Sequence, residues 1–460
     1  MNKLRAISFI LFIVFAVPVL GQQYPMPATP DTANTGRYIQ RTMHLLASST
    51  PEKKNTVKIL VYGQSISVQE WWLEVKRDIM ERFPNANIIM ENKAIGGFSS
   101  SLLVKTVEMD VSSFYPDLVL FHVYGDQHNY EAILKTIRGR TVAEVILQTD
   151  HYTKKEDYSD KMAYEILPAF AKKYACEIID IRSAWKKYLD ANGYEPLKLL
   201  KDEVHLNDHG SFLMAELIKP YLQYKPKYNK DEFQLLKTYK VGTDIFITGN
   251  TLRLPFKGNR VDIIAADSVS QTGAATVLVD GRKPSSFPGT YFMTRPYRNN
   301  NHGWPWTLPA MIHIAHETPW ISEEWTCTFT DVTPPFTDFT FEIRGSITGK
   351  DGIGRASEDF VSKSKRVIIK KGDADGGGDW HLSRSYQVLK TMVQNGDSVK
   401  WKTYSLGTDL YKFEKNQDKT IEKVTTLFQG IPNGDHVLTI KCTGSAIPLK
   451  EIRVYKPYLD

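Results

Sequence analysis

Between Val57 and Leu222 the chain alternates short runs rich in Val, Ile and Leu with longer segments whose apolar residues recur at helical spacing. The runs are 57–62, 88–90, 118–123, 143–147 and 177–181, and the helical segments lie at 68–84, 100–113, 130–138, 157–174, 183–191 and 208–222. A strand that is apolar at every position has to be covered on both faces. Helices between successive strands supply that cover and carry the chain back to start a parallel neighbour. The pattern therefore predicts an α/β domain over 56–225 built on an open parallel sheet.

In such sheets ligands gather at the carboxyl ends of the strands, so the polar clusters that follow the runs carry the functional signal. Gly63-Gln64-Ser65 follows the first run, and Asn92-Lys93-Ala94-Ile95-Gly96-Gly97-Phe98 the second. Tyr124-Gly125-Asp126-Gln127-His128-Asn129 follows the third. Asp202-Glu203-Val204-His205 leads into the last helix, with Asn207 or Asp208 as its N-cap. Each has a bland reading. A Ser after a strand is more often a helix cap than a nucleophile, Asp126 fits a cap for the helix near Tyr130, and His209 fits a polar helix start. Asp150-His151, after the fourth run, suits a pocket rim and a cap equally. Glycines just past a strand let a backbone N–H approach a ligand closely.

Taken in this order on these elements, the clusters resemble the blocks of the SGNH (GDSL-type) hydrolase family, whose fold is a flavodoxin-like parallel sheet. The resemblance covers about residues 57–222. It implies Ser65 as nucleophile, with Gln64 in place of the family's usual Asp, as in the Gly-Gln-Ser variants common among carbohydrate acetylesterases. It implies Gly97 in the oxyanion hole, and Asp202 and His205 completing a Ser-His-Asp triad. The third block departs from the family: aligning on Gly125 puts Asp126 where an Asn side chain should donate to the oxyanion. An ionised carboxylate only accepts and would repel that charge. Three resolutions follow: a protonated Asp126, a donor among Gln127, His128 and Asn129, or a reaction with no acyl oxyanion.

The expected function is a secreted or periplasmic serine hydrolase that removes ester groups, chiefly O-acetyl, from a carbohydrate. The alternative is a glycoside hydrolase drawing on Asp126, Asp202 and Glu131, and a third reading is a non-catalytic carbohydrate-binding protein. No cofactor or metal is expected. His313 and His316 lack a third ligand at metal spacing. Asp373, Asp375 and Asp379 lie in a Gly-rich stretch, 372–381, that suits a flexible hairpin as well as a calcium loop.

Charge narrows the partners. The net formal charge is +6, of which Lys3 and Arg5 fall in the first 21 residues; without them 56 basic residues face 52 acidic ones. That balance, with no basic block interleaved with aromatics, argues against nucleic acid. Residues 1–21 read as a signal peptide, with a basic start and an apolar run from Ile7 to Leu20, and no later stretch is long enough for a membrane span. Cys176, Cys327 and Cys442 show no metal spacing; Cys176 suits a buried thiol, and pairing of Cys327 with Cys442 is left open.

Residues 22–55, with Pro25, Pro27, Pro30 and Pro51 around a helix-like patch at 37–46, read as an N-terminal arm, and 226–240 as a polar connector. From 241 to 460 short alternating runs between Gly, Asn and Asp turns predict an all-β region. Within it, 252–284 and 427–457 resemble the opening and closing strands of galactose-binding-like jelly-roll modules, through Asp280-Gly281 and the spacing of Gly434, His436 and Leu438. The stretch 286–395 between them is too long for a loop and reads as an inserted β unit. It holds Trp304, Trp306, Trp320, Trp325 and a turn at Asp351-Gly352-Ile353-Gly354. Any single Trp there reads first as core and second as a sugar-stacking platform.

Overall fold

The structure, a computed structural model, describes residues 24–153, 157–231, 235–266, 273–298, 309–390, 393–413, 418–443 and 449–459. The expected signal peptide at 1–21, Trp304 and Trp306 lie outside these residues.

The parallel sheet runs through α1 (Gln40–Ala47), β1 (Thr56–Gly63), α2 (Ser65–Val68), α3 (Trp71–Arg82), β2 (Asn87–Asn92), α4 (Ser100–Val107), β3 (Leu118–His122), α5 (Gln127–Arg140), β4 (Glu144–Gln148), α6 (Asp157–Lys161), α7 (Leu167–Tyr174), β5 (Glu177–Ile179), α8 (Ile181–Asn192) and α9 (Asp208–Ile218). Its five strands lie in the order β2-β1-β3-β4-β5, every pair parallel, which is the flavodoxin-like order. Every residue of β3 and β4 is buried, hence their continuous apolar runs. Side chains alternate between faces. Leu60, Tyr62, Val119, Phe121, Val145 and Leu147 pack with α4, α5 and α7, whereas Val57, Ile59, Val61, Leu118, Leu120 and Ile146 pack with α1, α3, α8 and α9. Each such buried aliphatic side chain contributes about 1.5–3 kcal/mol relative to exposure.

The N-terminal arm is a structural part of this domain. Ile39, Met43 and Leu46 enter the second core, and the Arg41 guanidinium donates to Asp117 Oδ1 at 2.9 Å. Tyr24 stacks on His209 with ring centroids 4.2 Å apart, and His209 Nε2 lies 2.7 Å from the Tyr188 hydroxyl, so His209 holds the arm in place.

The C-terminal region is antiparallel. One sheet has the order Leu410–Lys412, Ala274–Val279, Val424–Thr443, Thr251–Ala265, Leu449–Tyr455, Leu236–Lys240, with Ile247–Thr248 pairing Thr251–Ala265. The segment expected to be a connector thus ends in a strand of this sheet. A second sheet has the order Tyr291–Met293, Ser398–Ser405, Glu323–Thr330, Thr340–Gly345, Gly349–Arg355, with Tyr297–Arg298 beside Ser398–Ser405. The inserted unit therefore extends past residue 395. Its core is continuous with one face of the parallel sheet: Trp325, Phe341, Trp380 and Trp401 belong to the same buried cluster as Leu60 and Phe121.

Two expectations are corrected here. Asp351-Gly352-Ile353-Gly354 is part of a strand, not a turn. The glycines serve packing, since a Cβ on Gly354 would lie 2.5 Å from Phe360 Cδ2 and 2.6 Å from Phe341 Cζ. The stretch 372–381 is an ordered turn. Asp373 caps a short 3-10 helix at 374–376, and Asp379 accepts the Lys370 N–H at 2.8 Å. All three cysteines are buried free thiols, Cys327 and Cys442 in different sheets. Burial pushes the Cys176 thiol up to about 12.

Candidate active site

The strand order reverses between β1 and β3, and there the carboxyl-end loops can diverge to form a crevice. β1 runs directly into Gly63-Gln64-Ser65, and Gly63 pairs with His122 at the end of β3. The two strand ends are so close that a Cβ on Gly63 would sit 1.9 Å from the His122 carbonyl oxygen. Gly63 has φ +155, a conformation side chains rarely adopt. Gln64 is the N-cap of α2, its side-chain oxygen accepting the Ile66 N–H at 3.3 Å.

Ser65 meets His205 at this end of the sheet. His205 Nε2 is 3.0 Å from Ser65 Oγ, and His205 Nδ1 is 2.9 Å from Asp202 Oδ2. The two stand 140 positions apart in the sequence, and the loop that leads into α9 brings them together. Asn207 caps that helix by accepting the Gly210 N–H at 3.0 Å, as expected. The loop before the cap closes on itself, with Asp202 Oδ1 accepting the backbone N–H of Val204 at 2.8 Å and of His205 at 2.6 Å. These two N–H groups, with the imidazole beside them, hold the Asp202 carboxyl down at about 2. An ionised Asp202 fixes the His205 hydrogen on Nδ1 and leaves Nε2 bare to accept from Ser65.

The loop after β2 passes alongside. The Ile95 N–H donates to the Gly63 carbonyl at 2.9 Å, two residues before Gly97. Gly97 has φ +79, and a Cβ there would meet nothing within 4 Å, so the backbone faces open space. Phe98 next to it is buried against His381 of the inserted unit, ring centroids 4.9 Å apart.

Asp126 is the N-cap of α5. Its Oδ1 accepts the N–H groups of His128 at 3.0 Å and Asn129 at 2.9 Å, and the Asn129 side-chain amide at 3.1 Å. This cap starts α5 at Gln127, earlier than the expected Tyr130. Gln127 and His128 line a separate depression of about 260 Å³ with Glu131 and Phe170. Glu131 is bonded to the Lys173 ammonium at 2.6 Å and the Tyr174 hydroxyl at 2.5 Å, and they bring its carboxyl down to about 2. The carboxylates on which a glycosidase reading draws are thus committed separately: Asp126 to a cap, Glu131 to a cation, Asp202 to an imidazole.

Sequence reasoning did not assign His122, and it left Asp150-His151 between rim and cap. His122 Nε2 lies 2.5 Å from Asp150 Oδ1, and its Nδ1 lies 3.4 Å from the Gln64 amide nitrogen. His151 Nε2 donates to the Val204 carbonyl, inside the Asp202–His205 loop, at 2.8 Å. Burial brings the His151 imidazole down to about 4, so it is neutral near pH 7. The polar pair just past the apolar run Val145-Ile146-Leu147 was the signal available for Asp150 and His151, whereas His122 closes β3 itself. Among the described residues no group of three His, Cys, Asp or Glu is placed to hold a metal ion, and no helix is long and apolar enough to cross a membrane.

No protein-family model and no curated protein matches the chain. Solved structures that resemble it include a two-domain esterase active on acetylated mannans, 15% identical, with 91% of this chain and 95% of that one covered at a TM-score of 0.36. An acetyl xylan esterase, AlAXEase, is 22% identical over 35% of this chain and 98% of its own, with a TM-score of 0.33. Axe2, an acetylxylan esterase from Geobacillus stearothermophilus, is 19% identical over 38% of this chain and 98% of its own, with a TM-score of 0.33.

Proposed function

We propose that the protein is a serine hydrolase that removes ester groups, chiefly O-acetyl, from a carbohydrate, using Ser65, His205 and Asp202. The observation that carries this reading is the continuous line Ser65 Oγ–His205 Nε2 at 3.0 Å and His205 Nδ1–Asp202 Oδ2 at 2.9 Å. His205 takes the Ser65 proton as Oγ attacks the ester carbonyl. Asp202 holds the imidazole tautomer and offsets the imidazolium charge. The backbone N–H groups of Ser65, at the start of α2, and of Gly97 are the oxyanion donors in this scheme. His205 then protonates the leaving alcohol, and water releases acetate by the reverse sequence.

Asp126 caps α5 through Oδ1, so the scheme gives it no part as an oxyanion donor. The carbohydrate part of the reading draws on the Gly-Gln-Ser form of the nucleophile block and on the expected export of the chain. The test is acetate release from acetylated mannan, xylan and aryl acetates by the wild type and Ser65→Ala. Full activity in Ser65→Ala would remove the nucleophile assignment, and cleavage of aryl glycosides instead of acetates would replace the reaction.

A further inference from the structure

Behind Ser65 lies a second His–Asp pair. Gln64 and His122 are each 3% exposed, and the Gln64 N–H donates to the His122 carbonyl at 3.2 Å. The hydrogen positions along this line follow from groups that can only donate. The Ile66 N–H points at the Gln64 side chain at 3.3 Å, so the atom facing it is the carbonyl oxygen Oε1. That oxygen also accepts the Ser65 hydroxyl at 2.6 Å. The amide nitrogen then faces His122 Nδ1 at 3.4 Å. An NH₂ group only donates, so Nδ1 is bare and the imidazole hydrogen sits on Nε2, donated to Asp150 Oδ1 at 2.5 Å. Burial tends to raise the Asp150 carboxyl, but the His122 hydrogen bond, the neighbouring imidazoles and the Arg182 guanidinium bring it below the usual value. An ionised Asp150 can only accept, so the line from Asp150 through His122 and Gln64 to Ser65 has one consistent direction.

We propose that Asp150 and His122 are positioning residues for Ser65, acting through the Gln64 amide by fixing which end of it faces the nucleophile. The proposal rests on the reading of Ser65 as nucleophile. With the carbonyl end toward it, the Ser65 hydrogen has acceptors on two sides, Gln64 Oε1 and His205 Nε2, and the oxygen keeps its lone pairs for the electrophile. With the amide reversed, the NH₂ group would donate to Oγ, occupy a lone pair needed for attack and meet the Ile66 N–H head-on. His122 in its Nε2–H form forbids that reversal, and Asp150 holds His122 in that form.

The test reads Ser65 reactivity without a sugar substrate, as the rate of phosphonylation by a fluorophosphonate probe in the full chain. The wild type should label at Ser65 and Ser65→Ala should not. Asp150→Ala should slow labelling by about 10²-fold, the scale for a misplaced reacting atom, with probe affinity nearly unchanged. Asp150→Asn, whose side-chain oxygen still accepts from His122 Nε2–H, should recover most of the rate. Gln64→Met removes both polar ends of the link at similar length, and in that background Asp150→Ala should add no further loss. The ¹⁵N spectrum of His122 should report the Nε2–H tautomer in the wild type. Equal slowing by Asp150→Ala in both backgrounds would overturn the proposal, since Asp150 would then act only on the fold. A wild-type rate in Asp150→Ala, or an Nδ1–H tautomer in the wild type, would overturn it as well. The tautomer also decides the matter if Asp150→Ala does not fold. A wild type that fails to label, or a Ser65→Ala that labels, removes the nucleophile reading itself.

Discussion

Two His–Asp pairs flank Ser65, and they are built in opposite ways. The His205–Asp202 pair stands on a loop, with side chains 36% and 51% exposed. The His122–Asp150 pair closes two strand ends, with side chains 4% and 23% exposed. Asp202 keeps its charge because its own loop turns two backbone N–H groups onto one carboxylate oxygen. Asp150 keeps its charge through the imidazole it holds and the Arg182 guanidinium near it. An exposed pair can carry a transient imidazolium at modest cost, whereas a buried pair pays heavily for a new charge and is better suited to holding a fixed direction. In the proposed scheme the difference suits the first pair to proton transfer and the second to orientation.

The largest effect should come from the exposed pair. His205→Ala should lower the turnover of an acetate ester on the order of 10⁶-fold, and Asp202→Asn on the order of 10⁴-fold, measured as acetate release. The Asn variant separates charge from geometry, because its side chain can still reach Nδ1 but favours the wrong tautomer. A loss on Asp202→Asn no larger than that on Asp150→Asn would erase the distinction between the pairs.

How legible this was from the sequence depends on the kind of pattern each element left. The parallel strands were readable because burial on both faces leaves unbroken apolar runs, as in β3 and β4. The strand Glu323–Thr330 was missed: its inward positions Trp325, Cys327 and Phe329 follow a period of two, but the buried Glu323 opens it. That carboxylate accepts the N–H groups of Ile347 and Thr348, a tertiary arrangement that no local pattern announces. Asp351-Gly352-Ile353-Gly354, inside the strand Gly349–Arg355, was read as a turn because Gly352 and Gly354 answer to the Phe341 and Phe360 rings, not to backbone bending. At the site, Ser65, Gly97, Asp202 and His205 follow strand ends or precede a helix cap, so their places were visible. Gln64 was visible only as a member of the Gly-Gln-Ser block and His122 was not singled out, since the link between them depends on the register that sets Gly63 beside His122.

The same dipeptide that supplies Asp150 also reaches the exposed pair, which gives a smaller test. His151 donates to the Val204 carbonyl at 2.8 Å, and its own carbonyl accepts from the Arg182 guanidinium at 3.2 Å. His151→Ala should free the Asp202–His205 loop and lower kcat by up to about 10²-fold, with His151→Gln recovering part of it through its amide donor. The buried imidazole also has a stability signature. Its folded value of about 4 lies below the unfolded one, so the unfolded chain binds a proton that the folded chain refuses as the pH falls. Its contribution is present above about pH 6.5 and is lost on descending toward pH 4. His381, brought to about 4 by burial, acts in the same direction, so His151→Gln should flatten part of the decline in Tm over that window.

The smallest effect should come from Asp126, and it bears on the comparison by asking whether a third carboxylate belongs to either pair. Its Oδ1 accepts two backbone N–H groups at the start of α5 and the Asn129 amide, and the backbone carbonyl of Asp126 accepts the Ser100 hydroxyl at 2.8 Å. Asn and Asp cap helices almost equally well, and Ala loses about 1 kcal/mol at such a position. Asp126→Asn should therefore leave both melting temperature and acetate release close to wild type. Asp126→Ala should lower the melting temperature by a few degrees and leave kcat nearly unchanged at temperatures where the protein stays folded. A carboxylate acting as acid or base on a glycosidic bond would behave in the opposite order. Its Asn variant would lose nearly all activity while keeping full stability, because capping needs only an acceptor oxygen and acid–base catalysis needs a group that ionises.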